Sequence, residues 1–333
     1  NTFNHPDWIR AISAHIPGAL HVKVPASGLP RLAATLSKKS WPVAHADSWI
    51  NSLSNSGLPS AGLAPSTDDA LSLLEATESP ILFRNLPVDH PTTSALLEAA
   101  SQSKILNHWQ RAGLVLSGSF DDWMQNNFDQ KRRKELKRLR SRLGEQGKLE
   151  NISLAHQGDT APFLKAFLKL EAESWKGHRG TAIASKAREA AALESGLTAM
   201  HHAGRLKFWQ INFDGQAIAS LFALTDDGEV TLGKIAHADA FAKYSPGVLI
   251  ILDATADLLT GGQFKRADSN AIPGHPMIDR IWRNRIECID VLLAGPTTPI
   301  PVFKFLAFWI GTKAAIRSVL KRILVRTTGR KIS

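Results

Sequence analysis

The chain has 333 residues, a formal net charge of +10 and a single cysteine. An apolar fraction of 44% is ordinary for a globular protein, and this length favours two cores over one. One cysteine excludes an internal disulfide and fits a reducing compartment; no window supplies the roughly 18 uncharged apolar residues of a membrane span. The nearest, 299–312, contains Lys304. Asn1 to Trp8 lack the basic start and apolar stretch of a signal peptide, so a cytoplasmic protein is expected.

In chain order, Pro6–Ile16 reads as a helix and Leu20–Val24 as a short strand. Residues 51–68, NSLSNSGLPSAGLAPSTD, read as a long surface loop. Asp68–Ala76 is predicted helical, capped by Ser66 or Thr67. Pro80–Arg84 reads as a strand, Thr92–Ser103 as a helix and Gly113–Ser117 as a strand. Ser119 starts one long basic helix ending at Gly144 or Gly147, with Leu136, Leu139 and Leu143 at helical spacing. Helices are expected over 161–176 and from Ser185 to His202. The period then becomes two. Arg205–Phe213, Ala217–Thr225 and Val230–Ala236 form an antiparallel meander, with Asp-Gly hairpin signals between them. A helix from Ser245 to Leu259 follows, stopped by Gly261-Gly262. Phe264–Ser269 is a strand, 275–284 a short helix and Arg285–Leu293 a last strand.

The positive charge is local. Residues 301–333 carry eight Lys/Arg and no acid, and 131–148 carry nine against two acids, so the remainder is slightly acidic. Two patches of this kind point to local anionic partners. In 302–326, Phe303, Phe305, Phe308 and Trp309 accompany the cationic stripe Lys313, Arg317, Lys321. That is a basic amphipathic helix, which either lies on an anionic membrane surface or docks on its own domain. Around the basic helix 131–148 there is no interleaved aromatic platform and no zinc-finger or RRM pattern, which argues against nucleic acid.

One turn stands out for chemistry. Ser245 is a favoured N-cap, Pro246 at the first helical position has no N–H to lose, and Gly247 lets another group approach the backbone. Val248 stands where a capping box would have Glu or Gln. Such a helix start either caps itself or holds an anion, typically a phosphate. Candidate bases nearby are Asp268, His275, His237 and Glu173, with Lys176 and Lys234 as contacts. Asp268 could equally cap a turn, and a lone histidine is often structural. There is no HExxH, paired CxxC, Walker A or GxSxG sequence, so no metal is expected, and Cys288 sits in an apolar strand as core.

The order α–α–βββ–α–β–α–β resembles the GNAT N-acetyltransferase fold, an α/β (α+β) architecture. In that fold the helix after the central strands binds the pyrophosphate of coenzyme A; here Tyr244-Ser245-Pro246-Gly247-Val248 replaces the usual glycine-rich turn. Several motifs resemble one branch, the BioF-like proteins named for cellulose-biosynthesis CelD, relatives of the FemAB transferases. They are Phe120-Asp-Asp with the helix ending RLGEQG, Trp175-Lys-Gly with Gly180-Thr-Ala, Gly233-Lys-Ile-Ala, and Asp268-Ser through Gly274-His-Pro-Met to Trp282. They span about 120–290. The resemblance implies two tandem GNAT-like units: 1–117 a degenerate first unit, 118–150 a basic connecting helix, 151–295 the acyltransferase domain, and 296–333 a basic tail. It implies acyl transfer from acyl-CoA, or another thioester, to an amine. Backbone at Lys234, Ile235 and Ala236 would polarise the carbonyl, and Trp175, Lys176, Arg138, Arg142 and Trp282 would contact substrate. If the tail meets lipid, a sphingoid-type amine at the inner membrane face is a natural acceptor. The alternatives are an amino sugar, a FemAB-like reaction using aminoacyl-tRNA, and a non-catalytic scaffold.

Overall fold

The computed structural model describes residues 2–25, 31–61, 65–226 and 228–328. Helix α1 (Pro6–Ser13) starts at Pro6, with His5 Nδ1 accepting the Asp7 amide. Strands β1 (Leu20–Val24), β2 (Leu32–Lys39) and β3 (His45–Ser48) follow. The Ser/Gly/Pro-rich stretch after them is not the surface loop expected. Leu53, Ser54, Ser56 and Leu58 are buried, the Ser54 hydroxyl donates to the Phe3 carbonyl at 3.0 Å, and β4 (Ser60–Ala61) pairs with β2. Residues 62–64 of that stretch lie outside the described residues.

Helix α2 (Thr67–Glu75) is closed by a capping box, Ser66 with Asp69. The Ser66 hydroxyl, then its amide, hold the Asp69 carboxyl below the usual carboxylate range; burial opposes this and Arg31 adds to it. A depressed folded pKa contributes stability above the unfolded value and loses it as pH falls through the folded one. Ser66→Ala should therefore lower stability by about 1 kcal/mol near neutral pH and by less in acid, where Asp69 is protonated. Denaturant midpoints at neutral and acid pH check this, and an equal loss at both would remove the Asp69 linkage.

Strand β5 (Ile81–Pro87) leads to α3 (Pro91–Ala99). The helix expected to reach Ser103 stops there, because Ala100 is extended and Gln102 already begins the 14-residue strand β6 (Gln102–Val115). The single long basic helix is two helices, α4 (Phe120–Asn127) and α5 (Gln130–Gly144). Phe128 is extended between them, and Asp129 restarts the helix by accepting the Arg132 amide at 2.7 Å. Next come β7 (Leu149–Ser153), α6 (Ala161–Glu173), α7 (Trp175–His178) and α8 (Ala187–His202). The meander is β8 (Leu206–Phe213), β9 (Gln216–Asp226) and β10 (Glu229–His237). Helix α9 (Pro246–Gly261) is apolar nearly all round and ends at Gly262 in the left-handed region; β11 (Arg266–Asp268), β12 (Asn284–Ala294) and α10 (Ile300–Thr328) complete the chain. Between β11 and β12 the expected helix is only a single turn at Ile278–Arg280.

The chain divides into two compact units that are not consecutive stretches, which corrects the divisions expected near 117, 150 and 295. One unit comprises residues 1–18, 50–55 and 110–286; the other 19–49, 56–109 and 287–333. The physical reason at the N-terminus is α1, which packs on α8. Trp8 is fully buried, and a Cβ at Gly196 would stand 2.7 Å from its ring.

Within the first unit, β7 to β10 run antiparallel in sequence, β11 is parallel to β10, and the end of β6 is antiparallel to β11. Within the second, β1 to β3 run antiparallel, β5 is parallel to β3, and β12 is antiparallel to β5. Each unit thus follows the same path of antiparallel strands, helix (α9 or α2) and parallel strand. Each also takes its next antiparallel strand from a distant part of the chain. This is the mixed α/β, tandem architecture expected from the sequence.

Candidate active site

The first unit opens where β10 leaves its neighbours. Strand β10 pairs with β9 until Leu232 opposite Ala223, and resumes at Ile235 opposite Leu221. Gly233 and Lys234 therefore share one partner position, that of Phe222, which makes a β-bulge. The bulge needs glycine: a Cβ at 233 would lie 2.1 Å from the buried Phe222 ring. On its other edge, β10 pairs with β11 at only three positions, ending at Thr231 opposite Asp268. Beyond that no strand pairs with this edge among the described residues, so β10 and β11 splay apart immediately before the bulge.

Two cavities meet at the splay. One, about 180 Å³, is lined by Leu232, Ile235, Ile251, Met277 and Ile278, with His275 among them. The other, about 290 Å³, is lined by Phe3, Asn51, Ser52, Leu53, Asn55 and Phe222. Both include Gly233, Lys234 and Asn270. In the second, Asn51 Nδ2 and Asn270 Oδ1 are buried without a hydrogen-bond partner. Asn270 sits at φ +51°, a conformation asparagine tolerates better than most residues.

The expected residues are distributed as follows. His275 lies on the narrower cavity. Its Nδ1 accepts the Met277 and Ile278 amides at 3.3 and 3.4 Å, which assigns the proton of a neutral ring to Nε2. Asp268 lines neither cavity. Its Oδ2 is 2.6 Å from Arg111 Nη2, and its Oδ1 accepts the Asn270 amide at 2.8 Å. Arg111 is only 2% exposed. His237 ends β10 and lies against the start of α9.

At that start Ser245 occupies the cap position at φ +52°, but its side chain makes no capping bond. Gly247 is buried. A Cβ there would be 3.0 Å from His237 Cδ2 and 3.2 Å from Met277 Sδ, so the missing side chain makes room for those two groups. This corrects the open approach expected at Gly247. Pro246 is buried, Tyr244 and Val248 pack against the core, and Lys243 Nζ lies 4.9 Å above the Tyr244 ring.

Four expected site residues fall elsewhere. Glu173 is an exposed residue at the end of α6, 3.9 Å from Lys169, because the buried acid of that turn is Glu171, which accepts the Ile183 amide. Trp282 is fully buried and donates to the Thr255 hydroxyl at 3.1 Å, so it is core and not a substrate contact. Arg138 and Arg142 are exposed on α5, while Arg133, Lys137 and Arg140 of that helix face a separate cavity of about 230 Å³ shared with α4 and α9. There Arg140 pairs with Asp253, whose carboxyl burial pushes up while Arg140 opposes. The side chains of Trp175 and Lys176 lie outside the described residues. Phe3, residues 51–55 and Arg111 carry no local signal of a site. Only Asn270, an Asx residue two places after Asp268, carried a local turn signal.

Residues 130–271 match the family described as acetyltransferase (GNAT) domain. The chain carries a GNAT-type acyltransferase domain. No curated protein matches it by sequence. Among solved structures it is similar to FemX, at 10% identity over 92% of this chain and 94% of that one, with a TM-score of 0.58. The C-terminal domain of a putative lysylphosphatidylglycerol synthetase from Agrobacterium fabrum gives 9% identity, 93% of each chain and 0.56. L-PGS from Bacillus licheniformis gives 11%, 92% of this chain, 98% of that one and 0.52. At these identities the likeness concerns the fold alone. The narrower cavity is lined mainly by apolar side chains, and α9 has no acid in its first turn.

Proposed function

We propose that this enzyme N-acylates an amine flanked by hydroxyl groups, with acyl-CoA or a related thioester as donor. The observation that carries this is the meeting of an apolar and a polar cavity at one bulge, Gly233-Lys234. The thioester takes the apolar side and the amine the polar side. The amine nitrogen attacks the thioester carbonyl; the C–N bond forms, the C–S bond breaks, and the thiolate leaves with the proton the amine gives up. Backbone groups of Lys234, Ile235 and Ala236 face the developing oxyanion. His275 Nε2–H is the group placed to hydrogen-bond the departing thiolate while that sulfur takes up the amine's proton. Asp268 is a positioning residue that holds Arg111 and the Asn270 turn.

The side-chain amides of Asn51, Asn55 and Asn270 on the lining of the polar cavity support a hydroxylated acceptor. Sphingoid-type lipid amines and amino sugars both present a hydroxyl beside the amine. The motifs from Phe120 to Trp282 support the narrower BioF-like placement.

The test is thiol release from acetyl-CoA and palmitoyl-CoA with sphinganine or glucosamine as acceptor, and a parallel assay with aminoacyl-tRNA. Release that depends on acceptor is expected with one of the two amines. Asn51→Ala should raise that acceptor's KM by about tenfold while the thioester KM stays near wild type. Transfer from aminoacyl-tRNA alone would replace the thioester reading.

A further inference from the structure

We propose that the second unit carries a membrane-docking face, formed by Trp41 and the outward side of α10, that lies on anionic lipid. It does not depend on which acceptor the first unit takes. The sequence pointed to the whole C-terminal segment; the structure separates its two sides. Phe303 and Leu306 are buried, and with Leu82, Leu292 and Ala294 they form a core that holds α10 by one side. That side is used up by the fold. The opposite side is not: Phe308 is 71% exposed, Ile316 55% and Phe305 49%. Trp309 lies along the same stripe and meets Trp41 edge to face at 4.7 Å, and Trp41 is itself 66% exposed.

The charges are arranged around this stripe. At about 100° per residue, Lys304 and Lys313 fall roughly a quarter-turn to either side of its centre line. Both are exposed, as are Lys38 and Lys39 just before Trp41. An apolar stripe with cations at its margins is what a helix lying in a lipid interface presents: aromatics enter the headgroup boundary and lysines reach the phosphates. Charge also decides against a second copy of the chain as occupant. Lys38, Lys39, Lys304 and Lys313 border the stripe and 301–333 holds no acid, so two such faces repel. An anionic bilayer complements both features. Among the described residues no helix is long and apolar enough to cross a membrane, so the contact is one of lying on the surface.

The experiment is flotation of the full chain with vesicles of phosphatidylcholine, with and without phosphatidylglycerol, at low and high salt. Wild type should float with the anionic vesicles and about tenfold less with the neutral ones, and salt should weaken binding. Phe305→Ser/Phe308→Ser should lose about tenfold in binding, and Lys304→Ala/Lys313→Ala should lose mainly the salt-sensitive part. Both pairs are exposed, so thermal melts should match wild type. Quenching of wild-type tryptophan fluorescence by brominated phosphatidylglycerol tests the same face without a variant. Equal binding by the Phe pair, absent quenching, or a wild-type dimer that the Phe pair converts to monomer would each overturn the proposal.

Discussion

Gly233→Val should abolish acyl transfer and lower the thermal midpoint. The position has no room. A Cβ there would stand 2.1 Å from Phe222 Cε2, and Phe222 is 1% exposed. Its ring cannot swing away, because it packs against Phe167 and Phe208 at centroid distances of 5.8 and 5.9 Å. Either the ring cluster deforms or the bulge flattens. Overpacking in a close-packed core costs about 1–3 kcal/mol, and a fixed aromatic cluster places this site at the upper end. The larger effect is on chemistry, since displacing reacting groups by about 1 Å costs on the order of a hundredfold in rate. Gly261→Ala, with nothing within 4 Å of its Cβ position, is the control and should leave activity unchanged. Wild-type kcat/KM in folded Gly233→Val protein would remove the bulge from the active site.

Asp268→Ala should be the most destabilising single change near the site. It leaves the buried Arg111 guanidinium without the carboxylate that stands 2.6 Å away. Removing one partner of a buried pair costs about 3–5 kcal/mol. Activity falls with it, and the single variant does not tell a base from a support. The double variant Arg111→Met/Asp268→Asn does. It removes the buried charge together with its partner and keeps an oxygen to accept the Asn270 amide. Stability should return to within about 1–2 kcal/mol of wild type, and kcat to within about tenfold. Recovered stability with kcat still down by about 10² or more would make Asp268 a general base.

The legible parts of the fold were those whose signals are local. Period-two alternation and Asp-Gly turns gave the three strands of the meander within about two residues. Strand β1 matched at both ends, Leu20 and Val24. Pro246 and Gly262 bracket α9 as their backbone chemistry requires. Strand β6 was partly missed because Gln102 to Trp109 is mostly polar and largely exposed, with no alternating pattern to read. The two-helix break at Phe128 was hidden under a continuous run of Lys and Arg. At the site, the turn at Asp268–Asn270 was visible, but the partner of Asp268 stands 157 residues away and no local pattern announces such a pairing. The polar cavity was illegible for a related reason. Its wall comes from 51–55, in a stretch whose Ser, Gly and Pro content signals a loop but not that the loop is buried.

The exchanged strands govern how the chain can be made. β5 needs β12, and the bond from the Asn85 amide to the Asp290 carboxylate spans 205 residues. At about 5–20 residues per second, a ribosome takes roughly 10–40 s to supply that partner after β5 emerges. Throughout that interval the strand has a bare edge, the kind of surface that invites pairing with other chains. Neither half of the gene therefore encodes a self-sufficient folding unit. Two polypeptides produced by a cut between α4 and α5 should each be poorly soluble alone, yet co-expression should let each supply the other's missing strand, β6 or β12.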